Sequence, residues 1–447
     1  MNPPTVNVIG GGLAGSEAAY QLIRKGVKVR LFEMRPMVET GAHRTEYLAE
    51  LVCSNSLGSN LPDRASGLLK EELRALNSYL LESAYKYRVP AGQALAVDRD
   101  AFAREISRFI KGHTSLEFIN DEVIEIPKDE ITIIATGPLT SPTFYKYLLE
   151  TFGVDGLKFF DAIAPVVRAD SLDMSKIFKG NRYDEEGGGD YLNCPLSKVE
   201  YQLFVDELLK AEKIPLPDFE TQARKSLFSA CQPVEEIAST GVDSLRFGPM
   251  KPVGLFDPQE QRRPYAVVQL RQDNLLGSMY NIVGFQTNLK YSEQERVFRL
   301  IPGLANAVFL RLGQMHKNIY LNSPKFLTNT LQVKDKPNFF FGGQITGVEG
   351  YSESVGTGLL AGLNAGRLAL GKPLLVPPPE SILGALIKYI TFPDHKHFVP
   401  MNANFGLFEG ISFTQEPGSD KKNEKSDRKA YIIALARKAF REFIGSL

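Results

Sequence analysis

A short apolar run, Val6 to Ile9, opens the chain and leads through the glycine turn Gly10 to Gly12 into an amphipathic stretch, Ala14 to Arg24. Gly26 stops that stretch, and a second apolar run, Val27 to Phe32, follows at once. The pattern predicts strand, helix and strand, with the strands parallel and the crossover right-handed. A polar segment begins at Cys53 (CSNSLGSN), and helical periodicity returns from Leu68 to Tyr85. Ile131 to Gly137 (ITIIATG) reads as another buried strand ending in a glycine turn. From about residue 150 to residue 330 the regular alternation fades: strands contain proline, aromatics are scattered, and DEEGGGD at Asp184 to Asp190 marks a loop. Alternation resumes near Pro337 with a strand, a glycine-rich loop and a helix of small residues. VPPPE, Val376 to Glu380, is a stiff linker, because three prolines cannot sit in a helix interior.

These elements predict an α/β fold with a doubly wound Rossmann-type nucleotide-binding domain. It is discontinuous, formed by residues 1–150 and 331–375. Residues 151–330 are expected to be mostly an inserted α+β domain on the substrate side, and 376–447 a helical tail packed on the nucleotide domain. A chain of 447 residues has room for such an arrangement.

Composition narrows the function classes. With 43% hydrophobic and 23% charged residues the chain has material for packed cores, which excludes whole-chain disorder. Three cysteines, Cys53, Cys194 and Cys231, lie far apart, which argues against a disulfide framework and a structural zinc. His395 and His397 have no clear third ligand, so no metal is expected. No signal-like start and no long uncharged apolar run occur, and the expectation is a soluble cytoplasmic protein without a membrane partner. The 52 basic residues equal the 52 acidic ones, so bulk attraction to nucleic acid is excluded and any RNA contact must be a localised basic strip. Lys421, Lys422, Lys425, Arg428, Lys429, Arg437, Lys438 and Arg441 form one basic segment, read as the solvated end of a surface helix.

Gly10, Gly12 and Gly15 make a Gly-x-Gly-x-x-Gly fingerprint in the right context, after a strand and opening a helix. Glu33 closes the second strand, where a carboxylate can accept from ribose hydroxyls. Gly10, Gly11, Gly12, Leu13, Ala14, Gly15 and Glu33 are therefore the predicted dinucleotide-binding residues, with the anion met by amides at a helix N-terminus. FAD and NAD share this fingerprint. A second glycine loop, Gly342, Gly343, Gln344 and Gly347, precedes another helix whose N-terminus could face the flavin end of FAD. That pairing resembles the FAD-binding half of the glutathione reductase class; tight packing of a small-residue helix is the alternative use for those glycines.

Six blocks, NVIGGGLAGSEAAYQL, LVCSNSLGSN, VPAGQALAVDRDAF, LRFGPMKPVGL, YNIVGFQTNLKY and GGQITGVEGYSES, closely resemble in order the folate- and FAD-dependent tRNA uracil-5-methyltransferase family. The relative GidA shares the glycine start but is longer. The resemblance implies methylene transfer from methylenetetrahydrofolate to carbon 5 of a T-loop uridine in tRNA, with NADH or NADPH supplying electrons through FAD. It matches Cys231 (CQPVE) to the family's nucleophile and Cys53 to its second functional cysteine. The chemistry agrees: a thiolate added to carbon 6 of uracil delivers negative charge to carbon 5, and a second thiol can remove the carbon 5 proton. Arg246 or Lys251 is a candidate for lowering the nucleophile's pKa. His43 and Arg44 are candidates for flavin or substrate contact, and Gln286, Asn288 and Lys290 for folate or RNA contact. The alternatives are the same reaction on a large-subunit rRNA uridine, a small-molecule flavin oxidoreductase, and a non-catalytic flavin-binding RNA partner. No obligate protein partner is evident.

Overall fold

The computed structural model describes residues 3–182, 189–215, 232–395, 397–408 and 424–447. Its first sheet has six strands: β1 Thr5–Ile9, β2 Lys28–Phe32, β3 Leu116–Ile119, β4 Thr132–Ile134, β5 Gln332–Val333 and β6 Lys336–Phe341. They lie in the order β5-β6-β4-β1-β2-β3, parallel except for the antiparallel edge pair of β5 and β6. The chain moves outward from β1 through β2 to β3 and then crosses back to β4 on the other side of β1. A topological switch point therefore lies between β1 and β4, and a crevice opens beyond their carboxyl ends. Val6, Val8, Ile133 and Ile134 are fully buried, as the central strands of a parallel sheet are.

Of the helices α1 Leu13–Arg24, α2 Ala65–Ala75, α3 Tyr79–Lys86, α4 Arg99–Lys111 and α5 Tyr351–Ala369, α1, α4 and α5 pack on this sheet, while α2 packs on α5 and α3 on α1 and α4; α6 Ile382–Thr391 and α7 Glu424–Gly445 follow in the tail. The periodic stretch Leu68 to Tyr85 forms two helices where the sequence suggests one. Asn77 turns into the left-handed region at φ 60°, and Ser78 then caps α3. The buried Glu17 carboxylate fixes this break by accepting from Ser78 Oγ (2.8 Å) and the Leu80 amide (3.0 Å).

Small residues decide how α1 meets α5. A Cβ on Gly358 would lie 2.3 Å from the Ala14 carbonyl oxygen, and one on Gly362 would lie 2.7 Å from the Ala18 Cα. Glycines four apart on one helix and alanines four apart on the other let the two backbones touch. The start of α1 is thereby held at the crevice.

Residues 166–311 contribute a separate six-stranded sheet, entirely antiparallel, in the order 178–179, 192–196, 266–272, 279–282, 166–168 and 309–311. It has its own apolar core, built around Tyr201, Phe204, Phe285 and Phe298. An antiparallel ribbon, Gly156–Ile163 against Gln314–Leu321, carries the chain out and back.

The tail docks on the first core. Glu72 of α2 caps α6, accepting from the amides of Ile382 (2.9 Å) and Leu383 (2.8 Å). In α7, Lys429 pairs with Asp63 (2.6 Å) and Arg437 with Glu71 (2.8 Å), so two residues of the basic segment serve intramolecular contacts. Among the described residues no helix is long and apolar enough to cross a membrane.

Candidate active site: a dinucleotide cleft and the Cys53 loop

The crevice at the switch point is an open, mostly apolar cleft. Glu33, Arg35 and Val123 line one end, Gly10, Gly12, Thr136 and Gly137 the middle, and Gly343, Gln344, Tyr351 and Ser354 the other. Three of the fingerprint's glycines have different neighbours. A Cβ on Gly10 (φ 101°) would strike the Ala135 carbonyl at 2.6 Å, and one on Gly15 the Gly10 carbonyl at 1.8 Å, so both serve close packing of turn, strand and helix. A Cβ on Gly12 would meet nothing within 4 Å: that face is open, where the first free amides of α1 can approach a pyrophosphate. Leu13 and Ala14 also line the cleft.

Glu33 is 5% exposed. One of its oxygens accepts from the Gly11 amide (2.8 Å), and the other from the amide and Nε of Arg35 (3.0 and 2.9 Å). Burial raises the Glu33 pKa, but the hydrogen bonds and charge of Arg35 outweigh it and hold the carboxyl below the usual range. An ionised carboxylate at the end of β2 suits ribose hydroxyls. The orientation is shared with Glu50, which accepts from Arg35 Nη1 (3.3 Å), the Thr45 amide (3.0 Å) and the Arg44 amide (2.9 Å). His43 lines the cleft, its Nδ1 2.6 Å from Thr40 Oγ1.

The second glycine loop divides by function. Gly343 and Gln344 line the cleft, and the Gly343 amide donates to Thr357 Oγ1 of α5 (2.8 Å). Gly342 continues β6 beside β4, its amide donating to the Ile134 carbonyl (3.0 Å). Gly347 turns away from the cleft: at φ 84° its Cα faces Phe398, whose ring a Cβ would meet at 2.4 Å, and its carbonyl accepts from Met401 (3.0 Å).

Cys53 lies beside the Tyr351 end of the cleft. Its amide donates to the Tyr351 hydroxyl (2.8 Å), and Ser352 Oγ donates to the Leu57 carbonyl (3.1 Å), so the first turn of α5 holds both ends of the loop. Three arginines that the motif reading passed over complete the hold. Arg99, which begins α4, donates to the Leu51 carbonyl (3.1 Å). Arg311, on the strand Phe309–Arg311 of the inserted region, donates to the Val52 carbonyl. Arg271, on the strand Ala266–Gln272, donates to Asn55 Oδ1 (2.9 Å), while Asn55 Nδ2 donates to the carbonyls of Val97 (3.0 Å) and Gln272 (2.9 Å). Asp273 pairs with Arg99 at 2.7 Å, both side chains nearly buried. A signal for one of them exists in the sequence: Arg271 directly follows the mostly apolar strand segment AVVQL, a place where a charge is costly unless it has a partner.

The remaining candidates are placed as follows. Cys231 lies outside the described residues. Cys194 is fully buried on a strand, and burial pushes its thiol pKa well up, as suits a small core residue. Arg246 is held by Asp243 (3.0 Å) and by the Tyr265 carbonyl (2.9 Å), stacked over the Tyr265 ring. Gln286, Thr287 and Asn288 anchor the chain on both sides of residues 216–231: the Gln286 carbonyl accepts from Val234 (2.7 Å), and the Asn288 carbonyl accepts from Ile214 (2.9 Å). Glu235, buried, accepts from the Asn288 amide (2.7 Å) and Thr287 Oγ1 (2.9 Å). Lys290 pairs with Glu212. His395 contacts the Tyr389 carbonyl (2.8 Å) among Tyr389, Phe392 and Phe398, and His397 is exposed. Among the described residues no group of three or more His, Cys, Asp or Glu could hold a metal.

A family model described as glucose inhibited division protein A matches residues 5–373. The methylenetetrahydrofolate-tRNA-(uracil-5-)-methyltransferase TrmFO of Brevibacillus brevis is 53% identical over 407 residues, covering 91% of this chain and 92% of that protein. The protein of the same name from Moorella thermoacetica is 56% identical over 402 residues, 90% of this chain and 91% of the relative. That from Acetivibrio thermocellus is 51% identical over 439 residues, 98% of each. Among solved structures, Aquifex aeolicus GidA in its form II crystal superposes with a TM-score of 0.68 at 17% identity, over 99% of this chain and 74% of that one, which is a likeness of fold.

Proposed function

Since the chain belongs to the glucose inhibited division protein A family, and within it to the TrmFO methyltransferases, we propose that it methylates carbon 5 of a T-loop uridine in tRNA. Methylenetetrahydrofolate is the one-carbon donor, NADH or NADPH the reductant, FAD the resident cofactor, and the cytoplasm the place of action. Contiguity is the observation that carries this reading: Tyr351 both lines the dinucleotide cleft and receives the Cys53 amide. The residues fit FAD, with Glu33 for the ribose, Gly10 to Gly12 and the start of α1 for the pyrophosphate, and Gly343, Gln344 and the start of α5 for the flavin end. When bound, FAD passes on the electrons of NAD(P)H and the one-carbon unit brought by folate.

The chain's own residues do the rest. The Cys231 thiolate adds to carbon 6 of the extruded uracil and drives electrons toward carbon 5, where the new bond forms. Cys53 removes the carbon 5 proton, after which the Cys231 bond breaks. The loop around Cys53 is pinned at Leu51, Val52, Asn55 and Leu57, so the thiol is offered from a fixed position. The fluorinated substrate tests the assignment. With methylenetetrahydrofolate and NADPH, an RNA carrying 5-fluorouridine at the target cannot lose its carbon 5 substituent and should stay covalently bound to wild type. The Cys231→Ala protein should give no such adduct; an adduct that persists there would remove Cys231 from the role.

A further inference from the structure

The groups around Cys53 carry a surplus of positive charge. Arg99, Arg271 and Arg311 converge on residues 51, 52 and 55, and the carboxylate bonded within this group is Asp273, on Arg99. Arg271 is 8% exposed, and the Arg99 side chain 11%. Among the described residues, Arg99 Nε is buried without a hydrogen-bond partner. Burial lowers the pKa of Arg311 to about 10, and repulsion from Arg99 and Arg44 adds to the effect. Burial lowers that of Arg271 as well. Three guanidiniums share this desolvated setting with Asp273 and, within reach of Arg99, Asp100, which still leaves cations in excess and opposes folding; hydrogen bonds to loop oxygens alone do not explain three charged donors, since neutral donors would hold those oxygens at less cost. An anion that completes the charge balance does explain them.

We propose that Arg99, Arg271 and Arg311 form an anion subsite beside Cys53 that takes the phosphodiester next to the extruded uridine. This rests on the RNA-methylating reading above. Solvent reaches the margin of this group: Cys53 and Arg311 are half-buried, and exposed Arg44 lies within electrostatic reach of Arg311. Guanidinium groups suit phosphate because their donors are planar, forked and permanently charged. The chain has no net charge, so affinity for an RNA strand must come from local concentrations of cations such as this one. Because the same arginines grip the Cys53 loop, binding of the phosphate and placement of the thiol become one event.

A thermodynamic cycle tests this with the holoenzyme. RNA substrates with a single uncharged methylphosphonate linkage on either side of the target uridine are compared with unmodified RNA, on wild type and on Arg311→Gln, which keeps a donor for the Val52 carbonyl. Wild type should bind one of the two neutral-linkage RNAs roughly tenfold more weakly, and Arg311→Gln should bind that RNA and unmodified RNA alike. Flavin absorbance confirms that the variant retains its cofactor, and Arg44→Ala, at the exposed margin, provides a second variant should Arg311→Gln not fold. Additive losses, or a raised KM for methylenetetrahydrofolate with RNA affinity unchanged, would overturn the subsite. Absence of any 5-methyluridine from wild type would instead overturn the reading of the reaction.

Discussion

The Cys53 amide donates a 2.8 Å hydrogen bond to the hydroxyl of Tyr351, a residue 298 positions later in the chain. Through that bond the loop that carries the thiol is registered to the first turn of α5, which also forms one end of the dinucleotide cleft. One end of the cleft and the thiol are thus placed by one element, and the position of Cys53 depends on how α5 is seated.

Tyr351→Phe removes this registration while leaving the ring in place. The variant should retain its yellow cofactor and lose turnover, with a stability cost of about 1 kcal/mol from the freed amide. Comparing kcat with cofactor content checks it: parallel loss of both would mean that the hydroxyl serves the cofactor alone.

Seating of α5 on α1 depends on the absence of side chains. Gly358→Ala puts a Cβ 2.3 Å from the Ala14 carbonyl, and backbone cannot move aside as a side chain would. The expected result is a destabilisation of about 1–3 kcal/mol, together with weaker cofactor retention, because the displaced start of α1 carries Gly12. Thermal melting with and without added FAD reads both effects.

Burial pushes the Glu72 carboxyl up to about 8, against the two α6 amides that favour its ionised form. A carboxyl whose folded pKa is raised binds more protons in the native state than in the unfolded one. Its stabilising contribution is therefore full below the unfolded value near 4.5 and declines as pH rises through about 8. Denaturant midpoints of wild type should fall relative to Glu72→Gln between pH 5 and pH 8; parallel profiles would show that this carboxyl does not titrate differently on folding.

The three cysteines should separate cleanly. Cys194 packs in the core of the inserted region, so Cys194→Ala should cost about 1 kcal/mol of stability and leave methylation intact. Cys231→Ala and Cys53→Ala should each abolish methylation with FAD still bound. Activity surviving in either of the latter would reassign its role.

Local chemistry was legible in the sequence, and long-range assembly was not. Gly10, Gly12, Gly15 and Glu33 form a fingerprint whose parts lie within one strand-helix-strand unit, and the cleft contains them or rests on them. Gly347 belongs to the same kind of glycine loop by sequence, yet its missing side chain makes room for Phe398, a partner 51 residues away that no local pattern announces. Arg99, Arg271 and Arg311 come from three distant elements, and only the fold brings them to one loop. Asn288 reads as a candidate ligand contact; in the fold its main chain and side chain bond Ile214 and Glu235, while Gln286 meets Val234 through its main-chain carbonyl. The break before α3 needed Glu17, a tertiary cap, to end a continuous helical pattern.

The central claim is that a carbon atom passes from folate to a tRNA uridine on this protein. The direct measurement supplies the purified protein with methylenetetrahydrofolate labelled in its methylene carbon, NADPH and an unmodified tRNA transcript, then weighs the nucleosides after digestion. The prediction is labelled 5-methyluridine at a single T-loop position, absent from the Cys231→Ala reaction. Unlabelled tRNA alongside normal flavin reduction by NADPH would contradict it.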